Sequence, residues 1–164
     1  MTTAKFWYAR DDQPWIPSGD IPGDTLQAFR TNENELSVWF IQNDKSNLDR
    51  VVAAFATTKT SLDTLDYVLL PDNFLPPDIQ VKEDAGESCD QLANEKWHRD
   101  LVQLTGHRIV ELAKQFYHEG YEKEGLGRYE DSDIAILIKQ GIQRSEIDVN
   151  KLNAKLRKAL ALVP

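Results

Sequence analysis

The chain contains a single cysteine, Cys89, among its 164 residues. One cysteine excludes an internal disulfide, and it excludes every zinc or iron–sulfur site that needs several thiolates. The first residues also lack the basic stretch and the apolar run of a secretory signal. Together these absences predict a soluble protein that works in the reducing cytoplasm.

Long hydrophobic runs are missing as well. The longest uncharged apolar stretch, residues 51–58, is far too short to cross a bilayer, so we expect no membrane partner. The formal net charge is -8, and residues 1–90 carry all of the acidic excess. Such a charge opposes non-specific attraction to nucleic acid or anionic lipid, and it favours solubility over an acidic docking surface.

Motifs of known chemistry are also missing. The sequence has no His-Glu-x-x-His or Gly-x-Ser-x-Gly pattern, and glutamates that would repel a phosphate surround Gly125 and Gly127. Cys89 is close in sequence to Glu87 and Asp90, whose charges raise the pKa of a thiol and make it a poor nucleophile. The sequence therefore predicts no metal and no cofactor, and it favours a non-catalytic protein while leaving an enzyme open.

The first 70 residues are rich in strand-forming side chains. Strands are predicted at residues 5–10, 25–30, 35–42 and 65–70. Ser46 is predicted to cap a helix that places the apolar side chains of residues 48–55 on one side. Leu36 and Val38 face one side of the strand, and Trp39 and Ile41 face the other. Apolar residues on both sides predict a central strand that is covered on both faces. The predicted order is β-β-β-α-β.

Helical spacing dominates the rest of the chain. Residues 71–90 are predicted to form a linker or an ordered strap, and a long helix is predicted from about residue 89 to residue 118. After a loop at 119–131, Gly141 is predicted to end a short helix and Ser145 to begin the last one.

These patterns predict an α+β fold. A small, mainly antiparallel sheet of three or four strands with one packed helix is expected in residues 1–70. A helical half with one long helix and two shorter ones is expected in residues 91–164. The two halves are expected to form one compact domain overall.

Binding to another protein is the leading expectation for function. Trp7, Trp15 and Trp39 are aromatic residues of the kind that anchor interfaces, and Leu156 and Leu160 form an apolar stripe on the last helix. This composition suggests an accessory or regulatory protein that binds another protein or itself as a homodimer.

Nucleic-acid binding is the first alternative. Residues 134–164 hold many more basic than acidic side chains, and two helices with a basic second member resemble a helix-turn-helix in outline. The basic residues of the last helix are Lys151, Lys155, Arg157 and Lys158.

A small hydrolase or transferase is the second alternative. Its site would lie between the two halves and would use Arg10 and Asp24 together with His107 and Glu111, which are one helical turn apart. The expected polar stripe of the long helix also includes Asp100. His98 projects instead onto the apolar side of that helix, where a buried histidine with a local hydrogen bond is expected.

Overall fold

The computed structural model describes residues 2–8, 29, 33–71, 75, 79–122 and 125–162. None of the helices in these ranges is long and apolar enough to span a membrane. The strands are β1 (Thr2–Tyr8), β2 (Leu36–Ile41), β3 (Leu65–Leu70), β4 (Gln80–Glu83), β5 (His98–Val102) and β6 (Leu126–Tyr129). The α-helices are α1 (Leu48–Thr57), α2 (Gln91–Trp97), α3 (Gly106–Tyr117), α4 (Asp131–Gln143) and α5 (Ala154–Ala159).

The strands form one six-stranded sheet in the order β4-β5-β2-β1-β3-β6, and each neighbouring pair is antiparallel. The α+β prediction is confirmed, but the sheet is larger than the three or four strands expected. It draws strands from every part of the chain and not only from residues 1–70. The predicted strand at 25–30 lies outside the described residues except for Phe29, which is buried.

Two hydrophobic clusters cover the two faces of the sheet. Trp39 and Ile41 of β2 belong to the cluster that includes α1, α4 and the C-terminal segment. Leu36 and Val38 belong to the opposite cluster, which includes Leu112 and other side chains of α3. The prediction that this strand is central and covered on both faces is therefore confirmed.

Helix α1 begins as predicted, but a different residue lies at its N-cap. Asn47 occupies that position, and its side chain accepts a hydrogen bond from Gln42 N at 2.8 Å and donates one to Phe40 O at 3.0 Å. Ser46 bonds instead to the side chains of Asp44 and Gln42. The buried amide of Asn47 thus joins the end of β2 to the start of α1.

The predicted long helix at 89–118 is wrong, because it is divided into α2, β5 and α3. Asp90 caps α2 by accepting a hydrogen bond from Ala93 N at 2.9 Å. Thr105 caps α3 by accepting one from Arg108 N at 3.4 Å. Each cap starts a separate helix, and the backbone turns extended at His98, where ψ is 138°. A strand therefore fits between them.

The C-terminal boundaries also differ from the prediction. Helix α4 continues through Gly141 to Gln143, because Gly141 is buried and leaves room for Ile147, which would lie 2.7 Å from an added Cβ. The last helix begins at Ala154, where the Asn153 side chain accepts from Lys155 N, and not at Ser145. The predicted loop at 119–131 contains a π-helical turn and β6.

Candidate functional site

Two strands at one end of the sheet bring three ionisable side chains together. His98 and Asp100 are two residues apart on β5, so they share a face of the sheet. The register pairs Lys82 of β4 with Asp100 and Glu83 with Arg99, so the next residue of that strand, Asp84, comes opposite His98. We call Asp84, His98 and Asp100 the His98 cluster, and its ligand atoms all lie within 4.8 Å of one another.

The imidazole of His98 is bonded to the chain that follows β4. Its Nδ1 lies 3.1 Å from the carbonyl oxygen of Asp84 and 3.7 Å from Asp84 Oδ1. Asp84 Oδ1 also accepts a hydrogen bond from Gly86 N at 2.8 Å. A proton on Nδ1 that is donated to the Asp84 carbonyl leaves the lone pair on Nε2.

Two neighbours fix the plane of the His98 ring. Trp39 meets it edge to face, with ring centroids 5.0 Å apart. On the other side Gly86 has a φ of +57°, and a Cβ there would lie 3.0 Å from His98 Cγ. Glycine is therefore required at this position both by the backbone conformation and by the close approach of the ring.

Asp100 is joined to β2 and through it to β1. Ser37 Oγ donates to Asp100 Oδ1 at 2.9 Å, and Lys5 Nζ donates to the Ser37 carbonyl at 3.1 Å. Burial lowers the pKa of Lys5 to about 8; the charge of Lys59 lowers it further, while the charge of Asp100 opposes the drop. The cluster thus has an ammonium group nearby whose protonated form is costly to bury.

The environment of one member of the His98 cluster was predicted correctly, and that of another was not. His98 is buried and hydrogen-bonded, as predicted, although it lies on a strand and not on a helix. Asp100 is buried on β5, so the prediction that it shares an exposed helical stripe with His107 and Glu111 is wrong. Residues 98–102 do not alternate polar and apolar side chains, so no period of two marks this strand in the sequence, and only its pairing with β2 and β4 shows it.

The free edge of β4 is the second surface of interest. All four residues of this strand are exposed, and Val81, which is 42% exposed, is one of the few large apolar side chains on the described surface. Lys82 forms an ion pair with Glu35 at 3.5 Å, and Glu83 forms one with Arg99 at 3.3 Å. Among the described residues only β5 pairs with β4, so within this part of the chain the other side of β4 presents its backbone groups outward.

The residues predicted for catalysis are not seen to converge. His107 is largely exposed, and its Nε2 lies 3.3 Å from Glu111 Oε1. Arg108 bonds to Glu111 at 2.6 Å, and this bond is the main cause that lowers the pKa of the carboxyl. Arg10 and Asp24 lie outside the described residues. His107 and Glu111 therefore form an ordinary exposed ion pair in the described part of the chain.

Several residues predicted to contact a protein partner pack inside the fold. Trp39, Leu156 and Leu160 belong to the core and are each at most 3% exposed. In this fold the three side chains therefore belong to the interior and not to the exposed surface. The side chain of Trp7 and all of Trp15 lie outside the described residues.

The basic residues of the C-terminal segment are mostly at the surface. Lys151, Lys155 and Lys158 are exposed, and Arg157 is half-buried in the last turn of α5. Cations in that turn also complement the helix dipole. Their position is therefore compatible with a structural role as well as with binding to an anion.

The thiol of Cys89 is buried, and burial is the main cause that raises its pKa. The charge of Asp148 raises it further, while a hydrogen bond with Thr57 lowers it. The predicted direction of the shift is confirmed, but its cause is burial and not the acidic residues adjacent in sequence. A protonated, buried thiol is a poor nucleophile.

Comparisons with protein-family models, with curated proteins and with solved structures give no match for this chain. The geometry of the His98 cluster and of the free edge of β4 is therefore the basis for a proposal on function.

Proposed function

We propose that this chain is a non-catalytic binding protein of the cytoplasm that pairs the free edge of β4 with an extended segment of a partner protein. Its role would be that of an accessory or regulatory protein. The observation that carries the proposal is the outer position of β4, with all four of its residues exposed. A sheet edge of this kind offers main-chain hydrogen bonds for affinity and alternate side chains for specificity.

The two edges of the sheet are not equally suited to a partner. At the opposite edge, Gly127 of β6 lies beneath the Tyr67 ring, and Arg128 is held by Asp66 through bonds of 2.7 and 3.0 Å. Strand β4 instead presents Val81, an apolar side chain exposed to water. Covering Val81 removes that apolar surface from water, which favours association.

Charge near β4 indicates the chemistry of the partner. Lys82 is neutralised by Glu35 and Arg99 by Glu83, whereas Asp84 and Glu87 just beyond the strand add negative charge. The whole chain is also acidic. We therefore expect a partner strand that places an apolar residue against Val81 and carries lysine or arginine nearby.

The thiol supports the cytoplasmic part of the proposal. Cys89 is buried, reduced and the only cysteine of the chain. A fold that depends on no disulfide is typical of proteins from a reducing compartment.

Selection from a random peptide library displayed on phage tests the proposal. The full chain serves as bait, and Val81→Lys is compared with Ile136→Lys, because both residues are exposed apolar side chains and Ile136 lies on α4. We expect enriched peptides with alternating apolar and basic residues. Their affinity should fall at least about tenfold for Val81→Lys, since a single central anchor is worth about 1–2 kcal/mol, and it should not change for Ile136→Lys.

Amide hydrogen exchange on the complex with one enriched peptide locates the contact. Protection of residues 80–83 is expected, because strand addition gives their outward amides hydrogen-bond partners. Failure to enrich any peptide, or enrichment of peptides that bind Val81→Lys and the parent chain equally, would overturn the proposal.

Nucleic-acid binding is the second candidate, favoured by the exposure of Lys151, Lys155 and Lys158. A gel mobility shift measured over a range of salt concentrations tests it, because contacts to phosphate release counterions and weaken steeply with salt. A shift that does not depend on salt, or no shift at low salt, would remove this candidate.

A further inference from the structure

The His98 cluster adjoins β4, but its side chains take no part in strand pairing. From its composition we infer that Asp84, His98 and Asp100 bind one divalent transition-metal ion of the Zn²⁺ class. One imidazole and two carboxylates supply three ligands, which is the number that zinc sites with an open fourth position take from the protein. Imidazole also favours zinc and its neighbours over magnesium or calcium.

Two buried residues of the cluster have few hydrogen-bond partners. His98 is 7% exposed and Asp100 is 6% exposed. Asp100 accepts a hydrogen bond only from Ser37 among the described residues, although an ionised carboxylate has about four acceptor positions. Within the same part of the chain, the one hydrogen-bond contact of the His98 ring joins Nδ1 to the Asp84 carbonyl. A buried charge with so few partners is costly, and a bound cation would remove that cost.

The ammonium group of Lys5 does not fill this role. Lys5 acts on Asp100 through its charge, but its Nζ donates to the Ser37 carbonyl and not to the carboxylate. The carboxylate of Asp100 therefore keeps acceptor positions for a metal ion.

The imidazole faces Asp84 through one of its two nitrogens. The carbonyl oxygen of Asp84 lies 3.1 Å and its Oδ1 lies 3.7 Å from His98 Nδ1. A metal ion shared by the imidazole and the Asp84 carboxylate would therefore bind at Nδ1 and replace the contact with the Asp84 carbonyl. Trp39 and Gly86 both pack against the ring, so little ordering remains to be lost on binding.

Binding requires only a small adjustment of the cluster. Ligands about 2.0–2.2 Å from a tetrahedral zinc ion are about 3.5 Å apart, whereas the ligand atoms here are within 4.8 Å. The side chain of Asp84 is 40% exposed and follows the last residue of β4, so it has room to rotate toward the two buried ligands. Its half-exposed position also gives an ion a path from solvent.

Calorimetric titration of the metal-free full chain with Zn²⁺ tests the inference. We expect a single site per chain, with affinity at least about tenfold weaker in Asp84→Asn, as for the loss of a ligand charge. The asparagine keeps the oxygen that accepts from Gly86 N, so the turn is preserved. Asp100→Asn, which keeps an acceptor for Ser37, should weaken binding as well. The control, His107→Gln, removes the exposed imidazole next to Glu111 and should leave the affinity unchanged.

Nuclear magnetic resonance of the imidazole groups gives a second measurement that does not depend on affinity. On addition of Zn²⁺ the resonances of His98 should shift at one equivalent, while those of His107 should not. The inference fails if Zn²⁺ does not bind, if Asp84→Asn and the parent chain bind it equally, or if His107→Gln abolishes binding. Strand pairing by β4 is tested with peptides and Val81→Lys, so either proposal can fail without the other.

Discussion

Arg50 on α1 forms a two-pronged ion pair with Asp90, the residue that caps α2. Arg50 Nε lies 2.6 Å from Asp90 Oδ2, and its second terminal nitrogen lies 3.0 Å from Asp90 Oδ1. The same Oδ1 accepts from Ala93 N, so one buried carboxylate joins the helices and starts the second. The hydrogen bonds that Arg50 donates to Asp90 also raise the pKa of the Arg50 guanidinium.

Removal of the Asp90 carboxylate should therefore destabilise the fold strongly. We expect Asp90→Ala to lower the free energy of unfolding by about 3–5 kcal/mol, because it leaves a half-buried guanidinium with one fewer partner and α2 without its cap. Glu146→Gln is the control, since Glu146 also bonds to Arg50 but is 23% exposed. It should cost less than about 1 kcal/mol. Equal losses in a urea titration would contradict this account.

Lys5 should give the fold an unusual dependence on pH. Its pKa is about 8 in the folded chain, whereas an unfolded lysine titrates near about 10.4. Between these values the unfolded chain binds more protons, so the contribution of Lys5 to the free energy of unfolding rises with pH. Below about pH 8 both states are protonated, and the cost of burying the charge is constant.

Comparison with Lys5→Met isolates this effect. Tyr129 and Cys89 have raised pKa values, which lower the free energy of unfolding as pH rises, but both residues are present in both proteins. From about pH 7.5 to about pH 9.5 the stability of the parent chain relative to the variant should rise by about 1–2 kcal/mol. Urea unfolding at several pH values measures this. A difference between the two proteins that stays constant with pH would show that Lys5 is not perturbed.

The elements that form by local patterning were predicted well. Strands β2 and β3 and helix α1 were predicted close to their observed bounds, because each combines a clear period with a polar segment on both sides. The long helix failed for the opposite reason. Trp97, Leu101 and Leu104 recur at helical spacing across what is a strand between two helices. The helical spacing is a coincidence, because Trp97 packs with one hydrophobic cluster and Leu101 and Leu104 with the other. Only the pairing of β5 with β2 and β4 shows that the middle of this segment is a strand.

The His98 cluster was not visible in the sequence for a related reason. Asp84 and His98 are 14 positions apart, and only the register of β4 against β5 brings them together. Asp100 was assigned to an exposed helical face, so its carboxylate carried no signal of burial. A site assembled from neighbouring strands depends on non-local pairing, which periodicity along the chain does not report.

The Tyr67 ring occupies the place where a side chain at position 127 would lie. An added Cβ on Gly127 would come within 2.1 Å of Tyr67 Cζ, and Tyr67 in turn packs on Tyr129 with ring centroids 5.8 Å apart. We expect Gly127→Ala to lower the free energy of unfolding by about 1–3 kcal/mol, because the ring must move out of its place. Thermal unfolding followed by circular dichroism measures the loss.

Gly106→Ala is the matched control for this prediction. Gly106 is the first residue of α3, and an added Cβ there meets no heavy atom within 4 Å. Alanine is the better helix former, so the change should be neutral or stabilising by up to about 1 kcal/mol. In a Tyr67→Leu background Gly127→Ala should cost less than in the parent chain. A cost that is the same in both backgrounds would assign the effect to the backbone and not to the ring.

The single thiol should react only when the fold opens around it. Cys89 is 6% exposed, burial raises its pKa, and its N–H donates to Thr57 Oγ1 at 2.9 Å. Thr57→Val leaves that N–H without its partner, which costs about 1–3 kcal/mol, so labelling by a thiol reagent should become at least about fivefold faster. Thr57 Oγ1 also donates to Ala54 O at 2.7 Å. Thr58→Val is the control, because the Thr58 hydroxyl donates to Phe55 O in the same way at an exposed position and has no bond to Cys89. Fast labelling of the parent chain, or equal acceleration by both variants, would show that Cys89 is reached without loss of its contact with α1.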